Sequence, residues 1–407
     1  MKNIMKRFLL FALPAVLLAA CNNEEGLNST ATPRVKYIRS TDPALAEIYL
    51  TSASMGELIA IIGDGLEGVC SVRFNDVEAK LNPTYITSTA VLVNVPGTLP
   101  TEITNTITLT TKKGRSCVVE NFITKAPSPV INSVSCEWTR PGEALAIHGN
   151  YFFDKADGSP IECTIGGIEA AVTACTATRL DVTVPDGVDA TAKQRIVLAN
   201  DNGEARSAFY LYDRDDIFID FEELNDQGLP VWDNWGRCKD DIHSENGIDG
   251  NYMLMTGKAA DWGWDENLSL FFCNILNEAG DLRRELIPEQ ADIADYVLKF
   301  EIRADAWDDL YMAMWFSDLY NSFSVDGTEP QCHWRGYSLG LETGVWTTAT
   351  VPLSEFCYGK SEDESRTLTA SLVRNFCIFF FGALDDSANA DTPISIALDN
   401  FRVVKKQ

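Results

Sequence analysis

Histidine is nearly absent from this chain: His148, His243 and His333 are the three among 407 residues. No Cys-x-x-Cys pair and no His-Glu-x-x-His string occurs, so zinc has no recognisable ligand framework. The P-loop pattern Gly-x-x-x-x-Gly-Lys-Ser/Thr is missing too, which removes the commonest phosphate cradle. One Gly-x-Ser-x-Gly string exists, Gly336-Tyr337-Ser338-Leu339-Gly340. A nucleophile elbow needs an acid and then a histidine downstream of its serine, and no histidine follows His333. Positive charge is short as well. The 33 Lys and Arg against 59 Asp and Glu leave a formal charge of -26, which repels phosphate backbones and argues against nucleic acid as a partner. Long apolar runs are lacking. The run from Phe8 to Ala20 falls short of the about 20 residues that a membrane-spanning helix needs.

That run carries the first positive signal. It follows Lys2, Lys6 and Arg7 and closes on Leu18-Ala19-Ala20-Cys21, the order of a secretory signal. Leu-Ala-Ala-Cys resembles a bacterial lipobox. The resemblance implies cleavage before Cys21 and lipidation of that cysteine, hence an outer-membrane anchor. The acidic pair Glu24-Glu25 resembles the signal for display on the outer face of the outer membrane in Bacteroidetes-type bacteria. An ordinary secretory signal with an incidental cysteine is the alternative. Residues 1–20 are therefore expected to be a signal peptide and residues 21–33 a polar, flexible tether. Loss of residues 1–20 removes three bases and no acid, taking the charge from -26 to -29. Of the 11 cysteines, those other than Cys21 are spread unevenly and read chiefly as small buried hydrophobes.

A repeat follows. Gly56-Glu57-Leu58-Ile59-Ala60-Ile61-Ile62-Gly63 aligns with Gly142-Glu143-Ala144-Leu145-Ala146-Ile147-His148-Gly149. Val91 to Pro96 aligns with Leu180 to Pro185, and Lys113-Gly114 with Asn202-Gly203. Each copy spans roughly 90 residues of alternating apolar and polar strand pattern, which fits an immunoglobulin-like sandwich. The second copy resembles the IPT/TIG immunoglobulin-like family through Pro141, Gly142, Gly149, Phe152, Gly166, Gly167, Pro185 and Gly203. In the first copy Phe74-Asn75-Asp76 stands where Ile-Gly-Gly is expected, so its match is weaker. The expected domains are 34–125 and 126–212, both read as rigid spacers.

From about Asp213 the composition changes. Eight of the nine tryptophans lie in 213–407, more than a core of that size needs. Strands are expected at Ile217 to Glu222, Tyr296 to Ile302, Leu310 to Phe316, Tyr337 to Glu342, Val345 to Phe356, Phe376 to Phe381 and Ile394 to Val404, with a short helix within Glu278 to Asp295. Around ten strands suggest a jelly roll, so the fold class is all-β: two Ig-like sandwiches followed by a larger jelly-roll sandwich. Phe218 to Glu222, Trp346 to Phe356 and Leu398 to Val403 are similar to segments of carbohydrate-binding jelly rolls. The whole order resembles the surface glycan-binding lipoproteins of Bacteroidetes polysaccharide-utilisation systems, of the type that binds xyloglucan or a related β-glucan. The resemblance implies a non-catalytic polysaccharide receptor, with the transporter and glycosidases of the same uptake system as partners. No cofactor is expected. Asp220 and Asp399, in the opening and closing strands, either flank a structural calcium site of the kind such jelly rolls sometimes carry or make a hydrogen-bonded strand edge.

Aromatic rings can cover the flat faces of a β-linked hexopyranose while polar groups meet its equatorial hydroxyls. Trp262 and Trp264, in a polar setting, read as a loop tip. Trp315 and Tyr311 share the strand face opposite Met312, Met314 and Phe316, which is either a binding platform or the other half of the core. Trp334, Arg335 and Tyr337 follow a polar segment and read as a loop. Trp307 lies beside Asp305, Asp308 and Asp309. Trp346 reads as core. Two further classes stay open: a protein-binding adhesin, and a jelly-roll glycosidase. The Glu-x-Asp-x-x-Glu signature of one glucanase family is absent, which weakens the second.

Overall fold

The structure, a computed structural model, describes residues 31–406 apart from 46, 156, 223–230, 234–241, 260–270, 308–309, 319–328, 337–339, 360–362 and 384–391. Among the described residues the regular structure is strand with short 3-10 turns. The chain divides into two compact units, Met1–Pro127 and Ser128–Gln407.

The first unit is a sandwich. One sheet joins Arg34–Ser40, Leu58–Asp64 and Ala90–Asn94; the other joins Val77–Glu78, Val69–Phe74, Ile107–Thr111 and Ser116–Val119. Ile59, Ile61, Val72, Val91 and Leu109 pack between them. In the second unit the repeat builds a sandwich of the same plan. Val130–Val134, Ala144–Asn150, Arg179–Thr183 and Ala171–Cys175 face Ile168–Glu169, Glu162–Ile165, Ile196–Asn200 and Gly203–Arg206.

The aligned segments Leu58–Asp64 and Ala144–Asn150 have the same burial order along the strand. The repeated glycines have a physical cause. Gly56 and Gly142 sit at φ +80° and +86°, which a side chain rarely adopts. A Cβ on Gly63 or Gly149 would run into the carbonyl oxygen of Arg34 or Val130 on the neighbouring strand.

The rest of the second unit is a larger sandwich. A six-stranded sheet contains Ile242–His243, Tyr252–Ala259, Thr392–Lys405, Tyr296–Ala306 and Thr347–Pro352 in that order, with Ile217–Ile219 pairing to the long Thr392–Lys405 strand. The five-stranded sheet runs Val231–Asp233, Phe271–Cys273, Asn375–Ala383, Leu310–Ser317 and Gln331–Trp334. Between the sheets lies a core in which Phe300 and Phe401 stack at 5.0 Å and Met312, Met314 and Phe316 fill the facing layer. Opening and closing strands pair, so the domain is closed at its chain ends.

Two expectations of secondary structure need correction. The expected helix within Glu278 to Asp295 is not formed. Asn277 to Asp281 makes a tight turn with Gly280 at φ +85°, Leu276 bridges Leu282, and only Ile293–Asp295 forms a 3-10 turn. The strand expected at Tyr337 to Glu342 is not seen at 340–342; the strand of this region is Gln331–Trp334. No disulfide joins any of the nine described cysteines, and burial pushes the Cys136 and Cys163 thiols up to about 12. Asp399 and Asp220 are both buried.

Candidate functional site

The large sandwich has two outer faces, and their chemistry differs. On the six-stranded sheet, Lys299, Glu301 and Arg402 point away from the core; Glu137 of the adjoining Ig-like sandwich accepts from Lys299 and Arg402, and its Ser135 carbonyl accepts from Thr348. That face is taken up by intramolecular contacts there. The five-stranded sheet is the other candidate.

Side chains alternate across a strand. In Leu310–Ser317, Met312, Met314 and Phe316 enter the core, so Tyr311, Ala313, Trp315 and Ser317 line the outer face. In Gln331–Trp334, Cys332 and Trp334 enter the core, which leaves Gln331 and His333 outside. The register sets Trp315 opposite both Gln331 and Cys377, and Ala313 opposite His333 and Phe379. Tyr358 joins from the next segment: Gln331 and Tyr358 exchange backbone bonds of 2.8 and 3.1 Å. His333 is thereby sandwiched, with Tyr311 stacked at 4.4 Å and Tyr358 at 5.3 Å. Gln331 Oε1 lies 3.3 Å from His333 Nε2. Below this row Ser317 donates to Glu329 at 3.4 Å, and Asn375 accepts from the Leu276 amide at 2.8 Å. Burial and the nearby Glu329 push the Cys377 thiol well above its ordinary value, so it is a neutral filler of the face.

The centre of this face is shielded: Trp315 is 1% exposed, and Gln331 and His333 are buried. Its edge is more open, with Tyr311 and Tyr358 half-buried. The two tyrosines at that edge offer ring surface and hydroxyls, which suits stacking on a sugar face with hydrogen bonds to its rim. An open cleft of about 390 Å³ elsewhere, between residues 289–293 and 368–371, has no aromatic lining and lacks that chemistry.

The expected site residues divide. Trp315 and Tyr311 lie on the outer face. Trp334 does not sit in a loop; it is a strand residue, 5% exposed, packed edge-on against Phe300 at 5.0 Å. The alternation Gln331, Cys332, His333, Trp334 is the sign of this, since its polar members share one parity. Trp307 packs on Trp334 at 5.5 Å at the core's margin, and Arg335 is half-buried. Trp262, Trp264, Tyr337 and Cys21 lie outside the described residues. Trp346, read as core, is only partly buried; its indole donates to Asn246 at 3.1 Å and Arg303 lies 5.2 Å over its ring. Sequence reasoning misses His333, Gln331 and Tyr358 as members of the outer face.

Comparison with known proteins gives concordant matches. Residues 211–405 match the family described as the surface glycan-binding protein B xyloglucan binding domain, and residues 129–212 match the IPT/TIG domain. The crystal structure of surface glycan-binding protein PbSGBP-B from Prevotella bryantii is similar over 93% of this chain and 100% of that one, at 25% identity and a TM-score of 0.65. SGBP-B from a complex xyloglucan utilization locus in Bacteroides uniformis aligns over 92% and 100% of the two chains, at 16% identity and a TM-score of 0.47. An IPT/TIG domain-containing protein of Bacteroides ovatus is 30% identical over 151 residues. That alignment covers 36% of this chain and 30% of the relative's length.

Proposed function

We propose, for a chain that belongs to the surface glycan-binding protein B family with its IPT/TIG domain and xyloglucan-binding domain, that it is a cell-surface receptor capturing a β-linked plant glycan, xyloglucan or a related β-glucan. The family is glycan-binding and non-catalytic. The observation that carries the reading is the match of residues 211–405 to a xyloglucan-binding domain. The half-buried Tyr311 and Tyr358, held on either side of His333, support it, because they offer ring surface and hydroxyls at the edge of the outer face. Trp262 and Trp264 are further stacking residues in this reading, and lipid on Cys21 holds the receptor at the outer membrane. The transporter and glycosidases of the same uptake system receive what it captures.

The magnitudes suit capture and release. A ring that removes roughly 60 Å² of apolar surface from water contributes about 1.5 kcal/mol. Three rings give about 4–5 kcal/mol before ordering costs and hydrogen bonds, which by itself corresponds to a dissociation constant of roughly 0.2–1 mM.

Affinity gel electrophoresis of residues 34–407 in xyloglucan or mixed-linkage β-glucan tests the reading. The protein is expected to be retarded. Trp262→Ala with Trp264→Ala, and separately Tyr311→Ala, are expected to weaken binding about tenfold or more with little change in melting temperature. Free migration of the wild-type protein in every β-glucan, mannan and xylan gel would overturn the assignment. Steady loss of polymer in the presence of pure protein would point to an enzyme instead.

A further inference from the structure

The second Ig-like sandwich and the large sandwich share more than a linker. Ile217 and Ile248, from the large sandwich and its loops, are members of the Ig-like core with Trp138, Leu145, Ile147 and Val182, and Trp346 packs against the same cluster. Backbone pairing crosses the junction: Thr348 donates to the Ser135 carbonyl at 2.9 Å. Arg214 Nη2 donates to both Asp249 carboxylate oxygens at 2.7 and 2.8 Å while the guanidinium lies 4.6 Å over the Trp138 ring. Arg140 donates to the Gly247 carbonyl.

At the centre lie four charges. Arg402, 2% exposed, donates to both oxygens of Glu301 at 2.7 and 3.0 Å and to Glu137 at 2.7 Å. Lys299 donates to the other Glu137 oxygen. Thr348 ties the Glu301 carboxylate to the Glu137 backbone, donating to Glu301 at 2.8 Å and accepting from the Glu137 amide at 2.7 Å. Glu301, Arg402 and Lys299 come from the large sandwich and Glu137 from the Ig-like one. The quartet is neutral only when both are present. Without Glu137, Lys299 and Arg402 share one carboxylate, and a buried charge without its partner is strongly destabilising.

We propose that residues 128–407 fold and unfold as one cooperative body, in which the second Ig-like sandwich is a structural half of the binding unit and Glu137 is its keystone. The consequence for function is geometric. The outer face carrying Trp315 and Tyr311 keeps a fixed orientation relative to residues 129–212, so this module sets the direction in which the face is presented. The inference stands on the junction alone and holds whatever the ligand is.

Hydrogen exchange under increasing denaturant, on the full soluble chain 34–407, tests it. The strands Ala144–Asn150 and Tyr296–Ala306 are expected to converge on one opening transition with one denaturant slope. Glu137→Gln is expected to speed exchange in both strands together, by about tenfold or more. β-Glucan retardation should be unchanged under native conditions, because the quartet sits on the sheet opposite the aromatic row. If that variant does not fold, Thr348→Val reads the same coupling with a smaller perturbation, and the wild-type transition is by itself decisive. Two separate wild-type transitions, or acceleration of exchange in only one of the two strands, would overturn the proposal.

Discussion

Asp399 is an uncomfortable residue for a folded protein to keep. It is fully buried, one oxygen accepts from the Asn400 amide at 2.8 Å, and the other has no hydrogen-bond partner. Burial, together with Glu301, Asp249 and Asp220, raises its carboxyl well above the ordinary value of 3.8, while the Asn400 bond opposes the shift. The folded state therefore holds a proton that the unfolded state releases above pH about 4. Its stabilising contribution is complete below that value and declines as pH rises towards the folded-state pKa. Asp399→Asn is expected to raise stability at pH 7 by about 1–3 kcal/mol and to flatten the decline between pH about 4 and 7. Thermal melts of the two proteins across that range check it; an equal slope in both would show that Asp399 is not the group responsible. The neighbouring carboxylates behave differently although they share Arg402. Burial raises Glu137, but Arg402 and Lys299 more than offset it and hold it below the usual range. Burial prevails at Glu301, which sits above it despite the same arginine. Among the described residues two cations face Glu137, whereas Arg402 alone faces Glu301. At this scale the sequence is least legible. Glu137, Glu301 and Arg402 lie 101 to 265 positions apart, and no local pattern pairs them.

At the scale of elements the sequence is most legible where backbone geometry dictates residue type. Gly56 and Gly142 turn the chain and Gly63 and Gly149 permit close strands, so the repeat shows in the order of residues alone. Gly149→Ala is expected to cost about 3 kcal/mol or more, because its Cβ would meet the Val130 carbonyl and the Phe152 ring. Gly97→Ala is expected to be near neutral, since nothing lies within 4 Å of its Cβ position. Urea midpoints of the two variants check the contrast; similar midpoints would mean that the close strand approach is not limiting. Elements fail to declare themselves where polarity misleads. The Gln331–Trp334 strand carries polar residues on an outer face that is nonetheless buried, so its sequence resembles a loop. The 278–295 segment has helical composition, but Gly280 and Pro288 interrupt it, and the turn at Asn277 is satisfied by its own side chain, which accepts from the Ala279 and Asp281 amides at 2.9 and 2.8 Å.

For the whole molecule the decisive question is where function divides from support. Sequence composition draws the line near Asp213, where tryptophans become frequent. Compactness draws it after Pro127, and the shared core of Ile217, Ile248, Trp138 and Leu145 explains the difference. Aromatic content reports on ligand chemistry, whereas cooperative folding follows buried area and paired charge, which need not respect a repeat boundary. The two criteria make different demands on truncated proteins. A chain of residues 128–407 is expected to keep β-glucan affinity within about twofold of the 34–407 protein, because it retains both the outer aromatic face and the junction. A chain of residues 213–407 loses Glu137, the Ser135 carbonyl and the apolar cover of Ile217 and Ile248. It is expected to melt at least about 10 °C lower, or to be recovered only as aggregate, since several kcal/mol of junction contacts are removed from a domain of ordinary stability. Calorimetry and isothermal titration on the three proteins measure both quantities. A 213–407 fragment with the melting temperature and affinity of the longer chains would return the second Ig-like sandwich to the role of a spacer.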